Sequence, residues 1–348
     1  MLLTLSTASR RWREALRREW RRFALATGVG LALAAYSVAF WGPHRAQPSD
    51  LAQSVWAAEL LWEGKNPYAN IGPGLLYPQA YPLFYPLPAA AAMLPLAGLP
   101  QIWIDALFVG FGAAVLFLVL SRNGLANPQL LALASYPMLV TAQTSQWSPW
   151  VTAAALTPSL GWILACKPSL GAALWLAFPS RRSLLLAAGF TVVTIALWPW
   201  WVADWLAALP AARHMSAPLM RPWGFLLLLA FIKWRRPEAR LLGVLAVLPQ
   251  TPSLYDAVPL FLVVRTIEEG VALVVLTSVM GGIVGALPAS TDYHTWMATN
   301  GEWMVYFLYL PCLVMVLRRP NVAAPVATAD QALPRALSQS APASGHRP

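Results

Sequence analysis

The chain has 348 residues, of which 58% are hydrophobic and 11% are charged, and its formal net charge is +10 at pH 7. Soluble globular domains carry about 25% charged residues, so this composition excludes an ordinary water-soluble domain. The basic residues are concentrated beside apolar runs, which favours contact with membrane lipids and argues against a nucleic-acid partner. We therefore expect a polytopic membrane protein.

The N-terminal segment, residues 1–22, is basic and compatible with an amphipathic helix. Seven arginines lie between Arg10 and Arg22, directly before the first apolar run. Basic residues next to a span remain on the cytoplasmic side, and a basic amphipathic helix can lie along the membrane surface. The sequence therefore predicts a cytoplasmic segment at residues 1–22 and a transmembrane domain at residues 23–320.

Twelve apolar segments follow in this domain. A spanning helix needs about 20 mostly apolar residues, and six runs approach that length: residues 23–41, 83–99, 102–120, 183–202, 270–287 and 303–317. Six shorter or proline-broken runs lie between them, at residues 129–142, 149–165, 170–178, 223–232, 241–248 and 257–264. Irregular backbone at membrane depth persists where it is buried in protein or lines a wet cavity. The predicted fold is all-α, with about 10–12 transmembrane helices.

Alternate counting from a cytoplasmic N-terminus places most of the basic residues inside, as the positive-inside rule requires. The same count places Asp105 near the inner end of its span, where we expect a structural role. It leaves outside Arg45, Lys65, Arg122, Arg213 and Arg221. Residues 321–348 are rich in Ala, Pro and Ser, which predicts a disordered cytoplasmic tail. The composition is typical of GC-rich bacteria, so we predict the bacterial inner membrane with both termini cytoplasmic.

The first outer loop, residues 42–81, is long and not of low complexity. Ser49 and Asp50 precede apolar positions at helical spacing, which predicts an N-capped amphipathic helix lying on the outer membrane surface. Asp50 could cap this helix, or it could take a proton from a hydroxyl as a general base at that surface. The two roles are compatible.

Other ionisable residues lie at the ends of apolar segments. Lys167, near an outer helix end, could bind a phosphate or snorkel to the interface. Asp256 lies next to Tyr255 between two half-length runs and could bind an acceptor or pair with Lys167. Candidates for a phosphate clamp or acid–base assistance, with ordinary solvated side chains as the alternative, are Arg213, His214, Arg221 and His294.

The order of these motifs resembles the glycosyltransferase 87 family of the GT-C superfamily, which includes bacterial α-1,2-mannosyltransferases. The matching features are Asp50 with the loop helix, the Gly-x-Asn-Pro-Tyr turn holding Asn66 and Tyr68, the polar turn holding Gln143 and Gln146, Lys167 before a proline, and Tyr255 with Asp256. The family's Gly-Gln-x-Asn-type turn reads Thr-Ser-Gln-Trp here, and its paired Tyr-Pro-Pro reads Tyr-Pro-Leu.

This resemblance implies a GT-C-like fold and an enzyme that moves a hexose, such as mannose. The donor would be a polyprenyl-phosphate sugar and the acceptor an extracytoplasmic lipid or glycan, with Asp50 as the catalytic base. Motifs and membrane position together nominate these substrate-binding residues: Asn66, Tyr68, Gln143, Gln146, Lys167, Arg213, His214, Arg221, Tyr255, Asp256 and His294. The chain has no Asp-x-Asp pair, His cluster or Gly-rich phosphate loop, so we expect neither a metal nor a cofactor.

Two other functions remain open. Broken helices and charges at membrane depth also suit a transporter or flippase, which would be expected to show internal repeats of similar hydropathy, and the sequence shows none. A catalytically inactive scaffold that binds lipid carriers is the third possibility, and it should tolerate the loss of Asp50.

Overall fold

The computed structural model describes residues 2–43, 48–212, 216–250, 254–287 and 293–321. These residues are helical and contain no β-strand, only two isolated bridges, which confirms the all-α prediction. The α-helices in chain order are α1 (Leu2–Trp41), α2 (Ala52–Trp62), α3 (Leu87–Met93), α4 (Gln101–Leu120), α5 (Tyr136–Thr144), α6 (Ser148–Leu156), α7 (Pro168–Ala177), α8 (Arg181–Leu197), α9 (Trp201–Ala208), α10 (Pro237–Val247), α11 (Ile267–Ala286), α12 (Tyr293–Met304) and α13 (Leu310–Arg318).

Short helices fill the proline-broken runs between the long ones. Proline fixes φ and lacks an N–H, so it is tolerated in the first turn and interrupts a helix elsewhere. Helices α3, α5, α6, α7, α10 and α13 each carry proline in the first turn. Between the α-helices lie four longer 3₁₀ helices and one π-helical turn. The 3₁₀ helices are Pro128–Ala134, Pro158–Cys166, Gly224–Lys233 and Val258–Val263, and the π-helical turn is Val305–Tyr309.

Four helices among the described residues are long and apolar enough to cross a membrane: Arg17–Trp41, Gln101–Asn123, Ile267–Ala286 and Asn300–Arg318. The pair Arg181–Leu197 and Trp201–Ala211, bent by 106°, makes a fifth if it counts as one span. Large apolar side chains such as Leu31, Phe111 and Val275 are exposed on these helices, as expected for a lipid-facing surface. The chain is therefore compatible with a multi-pass membrane protein.

Helix α4 runs antiparallel to α1. Arg22 of α1 donates to the Ser121 hydroxyl at 3.2 Å and to the Leu118 carbonyl at 2.9 Å, at the C-terminal end of α4. Ser49, which follows α1, donates to Asp105 near the start of α4 at 2.8 Å. Arg122 therefore lies beside Arg22, and Asp105 lies at the opposite end. The prediction that Arg122 lies on the opposite side of the protein from Arg22, with Asp105 on the same side as Arg22, is therefore wrong.

The cause of this error is the run at residues 83–99, which does not cross. Tyr85 before α3 and Gln101 after it both contact residues around the Asp50 loop, so α3 enters and leaves at the same end. The run at residues 149–165 is instead two short helices. Thr157 between them accepts from Arg122 at 3.0 Å, whereas Gln146 and Lys167 on either side meet each other.

The basic residues gather at one end of the molecule, called here the basic end. Arg240 donates to the carbonyls of Leu176 and Ala177 at the end of α7, at 3.1 and 2.8 Å. Arg319 donates to the Val263 carbonyl and pairs with Glu269 at the start of α11, both at 2.7 Å. These contacts tie the end of α7, the start of α10, the start of α11 and the end of α13 together.

Helix α2 packs inside the protein rather than along its surface. Seven of its eleven residues are buried: Ala52, Ser54, Val55, Ala57, Ala58, Leu60 and Leu61. They pack against α3 and against Leu83, Ile71 and Trp201. Its N-cap is Leu51, and no side chain caps it. The loop helix predicted from the sequence is present, but the expectations of an exposed amphipathic face and of an Asp50 or Ser49 cap are wrong.

Glycines bring α1 and α4 into close contact, and this contact predicts a stability effect. A Cβ on Gly30 would lie 2.8 Å from the Gly110 carbonyl oxygen, whereas a Cβ on Gly28 would meet nothing within 4 Å. Small residues allow such close helix packing in membranes. We expect Gly30→Ala to destabilise the protein by about 1–3 kcal/mol and Gly28→Ala not to. Thermal unfolding in detergent, followed by size-exclusion chromatography, measures both. Equal unfolding temperatures for Gly30→Ala and Gly28→Ala would contradict the close contact between Gly30 and Gly110.

Candidate functional site

Four polar side chains from separate segments meet in one cluster. The Gln146 amide nitrogen donates to the Asp50 carboxylate at 2.5 Å, and the Lys167 ammonium donates to the Gln146 amide oxygen at 3.0 Å. Lys167 also forms an ion pair with Asp256 at 2.5 Å. Asp50, Gln146, Lys167 and Asp256 are called the central cluster below. All four are residues that the sequence nominates.

Gln146 links the Asp50 carboxylate to the Lys167 ammonium because both ends of its amide form hydrogen bonds. The side chain is 2% exposed, its nitrogen serves Asp50 and its oxygen accepts from Lys167 and from the Tyr85 hydroxyl, at 3.0 Å each. Tyr85 is a cluster contact that sequence reasoning missed. The signal was present: Tyr85 begins the third of three Tyr-Pro pairs spaced four residues apart, after Tyr77 and Tyr81.

Each member of the central cluster lies immediately before a short helix. Asp50 precedes α2, Gln146 precedes α6, Lys167 is the N-cap of α7, and Asp256 precedes the 3₁₀ helix Val258–Val263. The N-terminus of a helix carries partial positive charge and unpaired N–H groups. Converging N-termini favour negative charge, which stabilises the two carboxylates and makes the region suited to an anionic ligand.

The backbone that presents the cluster is unusual at two points. Among the described non-glycine residues, positive φ occurs at Ser145 (54°), Trp223 (61°) and Leu254 (63°). Ser145 directly precedes Gln146, and Leu254 directly precedes Tyr255 and Asp256. Side chains rarely adopt this conformation, and such residues concentrate at functional sites. Tyr255 also places its ring 4.8 Å from the Lys167 ammonium, a cation–π contact.

The central cluster lies well inside the molecule. Helices α6 and α7 both lead from it toward the basic end, and a helix of nine or ten residues is about 15 Å long. Gln146 and Lys167 therefore lie about 15 Å from the far ends of α6 and α7. Asp50 contacts Gln146, and the neighbouring Ser49 contacts Asp105 near the start of α4, so this side of the cluster lies near that end of α4.

Asp50 occupies an accessible depression. The residue is exposed, yet protein surrounds it, and burial raises the pKa of its carboxyl to about 6, against the lowering effects of the Gln146 hydrogen bond and of Lys167. Solvent that enters the depression hydrates the carboxylate and limits this rise. A carboxylate that is accessible and has a raised pKa is suited to accept a proton near neutral pH.

The raised pKa predicts a pH dependence. A general base must be deprotonated, so the rate of any reaction in which Asp50 takes a proton should fall as the pH drops through the pKa of Asp50. With a pKa of about 6, we expect a rate about tenfold lower at pH 5 than on the plateau above pH 7. Initial rates between pH 4.5 and 8 measure this, with folding monitored at each pH. A midpoint near 4 would mean that the carboxylate is hydrated as in water.

A second polar group ties the Asn66 turn to α9. Asn66 donates to Asp204 at 2.7 Å, and its side-chain oxygen accepts from the Tyr68 backbone at 3.0 Å. The Tyr68 hydroxyl donates to the Tyr85 carbonyl at 2.9 Å. Asn66 and Tyr68 therefore support the segment that carries Tyr85. Asp204 is a second partner that the sequence did not nominate.

The remaining candidates lie elsewhere or outside the described residues. Gln143 donates to the Tyr36 hydroxyl of α1 at 2.7 Å and does not join the central cluster. The Arg221 guanidinium lies against Gly301, where a Cβ would be 2.6 Å from it. Arg213 and His214 lie outside the described residues. His294 belongs to α12, but its side chain also lies outside them.

Cys166 and Cys312 are free and buried in the apolar core. Within the described ranges, no group of three or more His, Cys, Asp and Glu side chains could hold a metal ion. No known protein-family model, curated protein or solved structure matches this chain.

Proposed function

We propose that the protein is a membrane glycosyltransferase that moves a hexose from a polyprenyl-phosphate donor to a lipid or glycan acceptor. The observation that carries the proposal is the central cluster, in which an accessible carboxylate and an ammonium are joined through one glutamine side chain. This pairing of a base with a cation suits the transfer of a sugar away from a phosphate.

The proposed reaction assigns a task to each side chain. The acceptor hydroxyl oxygen forms a bond to the anomeric carbon of the sugar, and Asp50 takes the hydroxyl proton. The bond between that carbon and the phosphate oxygen breaks, and the polyprenyl phosphate leaves with the electron pair. Lys167 stabilises the negative charge on the leaving phosphate. Gln146 holds Asp50 and Lys167 at a fixed separation.

The architecture we propose is GT-C-like, with 10–12 passages of which several are half-length. Several short helices begin or end near the central cluster, where the chain changes direction. Such half-length passages support this count, because irregular backbone at membrane depth must be surrounded by protein. We place the basic end in the cytoplasm of a bacterium, in accordance with the positive-inside rule. The central cluster then opens toward the extracytoplasmic side.

The test is transfer of radiolabelled mannose from a polyprenyl monophosphate in membranes that contain the protein, compared with the same membranes without it. Transfer that depends on the protein supports the proposal. Its absence with mannose and with other polyprenyl-linked hexoses would refute it.

A transporter or flippase is the second candidate. The specific observation in its favour is that several helix N-termini converge on ionisable groups, an arrangement used by transporters for anionic substrates. Reconstituted liposomes separate the two functions. A transporter moves a labelled polyprenyl-phosphate sugar between leaflets without an acceptor, whereas a transferase consumes the donor only when an acceptor is present.

A further inference from the structure

Lys167 is already occupied in this structure. Its ammonium has three N–H donors, and two of them serve Gln146 at 3.0 Å and Asp256 at 2.5 Å. The side chains of Lys167 and Asp256 are 13% and 12% exposed. An anionic substrate group that is to bind Lys167 therefore meets a carboxylate that already binds it.

The charges of the central cluster make this competition severe. Asp50 and Asp256 are both carboxylates, and among the described residues of the cluster Lys167 alone is cationic. A phosphate that enters adds a further negative charge at a site where water is partly excluded. Like charges repel strongly there. The phosphate and Asp256 cannot both lie against one ammonium without a large energetic cost.

We infer that Asp256 is an internal competitor for Lys167: its carboxylate holds the cation in the absence of substrate and is displaced by the phosphate of the donor. This inference rests on the proposed function, since it deepens the role of Lys167 as the phosphate-binding group. Asp256 would then lower the affinity of Lys167 for the donor. The donor phosphate would have to break the ion pair between Lys167 and Asp256 before it could bind.

The structure offers a place for the displaced carboxylate. A cavity of about 10 Å³, roughly the space of one water molecule, lies beside Asp256 and is also lined by Ser169 and Gln250. Ser169 lies in the first turn of α7, where the helix N-terminus favours negative charge. Because this cavity adjoins the carboxylate, we expect the displaced Asp256 side chain to move toward Ser169.

The experiment compares binding of farnesyl phosphate, inorganic phosphate and farnesol to the purified full-length protein in detergent. The Asp256→Asn variant keeps the shape of the side chain and removes its charge. We expect its Kd for farnesyl phosphate to fall by about tenfold or more relative to the wild type, with farnesol binding unchanged. If Asp256→Asn also binds inorganic phosphate more tightly, the phosphate group alone is sufficient to displace Asp256 from Lys167. Glu63→Gln is the matched control, because Glu63 is an exposed carboxylate paired with Lys65.

Unchanged or weaker binding of farnesyl phosphate by Asp256→Asn would overturn the inference and make Asp256 a direct substrate ligand or a structural partner. Asp256→Ser provides a second neutral variant, and failure of both variants to fold would also overturn it. Failure of the proposed function is distinguishable, because it appears as absent sugar transfer while the tighter phosphate binding remains.

Discussion

Replacing Asp50 by Asn is expected to lower the sugar-transfer rate by about 10²–10⁴-fold, the range in which a positioned general base contributes. The substitution keeps the size of the side chain and removes its ability to take a proton. Donor affinity should change little, because Asp50 contacts Gln146 and not Lys167 directly. The loss should therefore appear in kcat. The measurement is transfer of radiolabelled hexose by wild-type and variant membranes at matched protein levels.

Folding should survive this substitution because Asp50 does not cap α2. That helix has Leu51 as its N-cap and no side-chain cap. Glu63→Gln, which removes an exposed carboxylate after the same helix, is the control and should retain full transfer. Equal transfer by wild type and Asp50→Asn would remove Asp50 from the mechanism. If the protein were a scaffold that only binds lipid carriers, Asp50→Asn and the wild type would behave alike in every assay.

Replacing Lys167 by Met is expected to destabilise the protein by about 3–5 kcal/mol, the cost of leaving one member of a buried ion pair without its partner. Asp256, whose side chain is 12% exposed, would lose its 2.5 Å contact with the ammonium. Transfer should be lost as well, because the cation for the phosphate is gone. Unfolding in detergent gives the first effect, and the transfer assay gives the second.

A double variant separates the structural role of Lys167 from its role toward the substrate. Lys167→Met with Asp256→Asn removes both charges and should recover most of the lost stability, since neither charge is then left unpaired. It should not recover transfer. Lys65→Met is the matched control, because the exposed pair of Lys65 with Glu63 is worth about 1 kcal/mol or less. Recovery of transfer by the double variant would show that Lys167 serves only to neutralise Asp256.

Sequence reasoning reached the members of the central cluster individually. It nominated Asp50, Gln146, Lys167 and Asp256 because an ionisable or amide group among apolar residues is costly unless it has a function. It also left open that Asp256 pairs with Lys167, and the structure shows that pair. It did not nominate Tyr85 or Asp204. The repeated Tyr-Pro pairs mark the segment of Tyr85, but the partners of both residues lie more than 60 residues away in the chain.

For two elements, the predictions made from local sequence patterns were wrong. Residues 83–99 have the composition of a span, yet α3 ends at Met93 and is followed by a 3₁₀ turn, Leu94–Leu96, that contains Pro95. Gly98, with φ of 88°, then turns the chain toward α4. The apolar spacing of α2 is that of an amphipathic surface helix, but neighbouring segments cover the faces that the sequence left to lipid and water. Neither outcome can be read from the hydropathy of the segment itself.

The sequence by itself determined that this is an all-helical chain suited to a membrane, because too few charges are present to cover a soluble surface. It also determined where proline divides the helices, since that effect is local to each residue. Only the tertiary structure decided that Arg122 lies at the same end as Arg22 and that four helix N-termini meet around Gln146. These features depend on contacts between distant parts of the chain, and hydropathy and periodicity report only on neighbours along it.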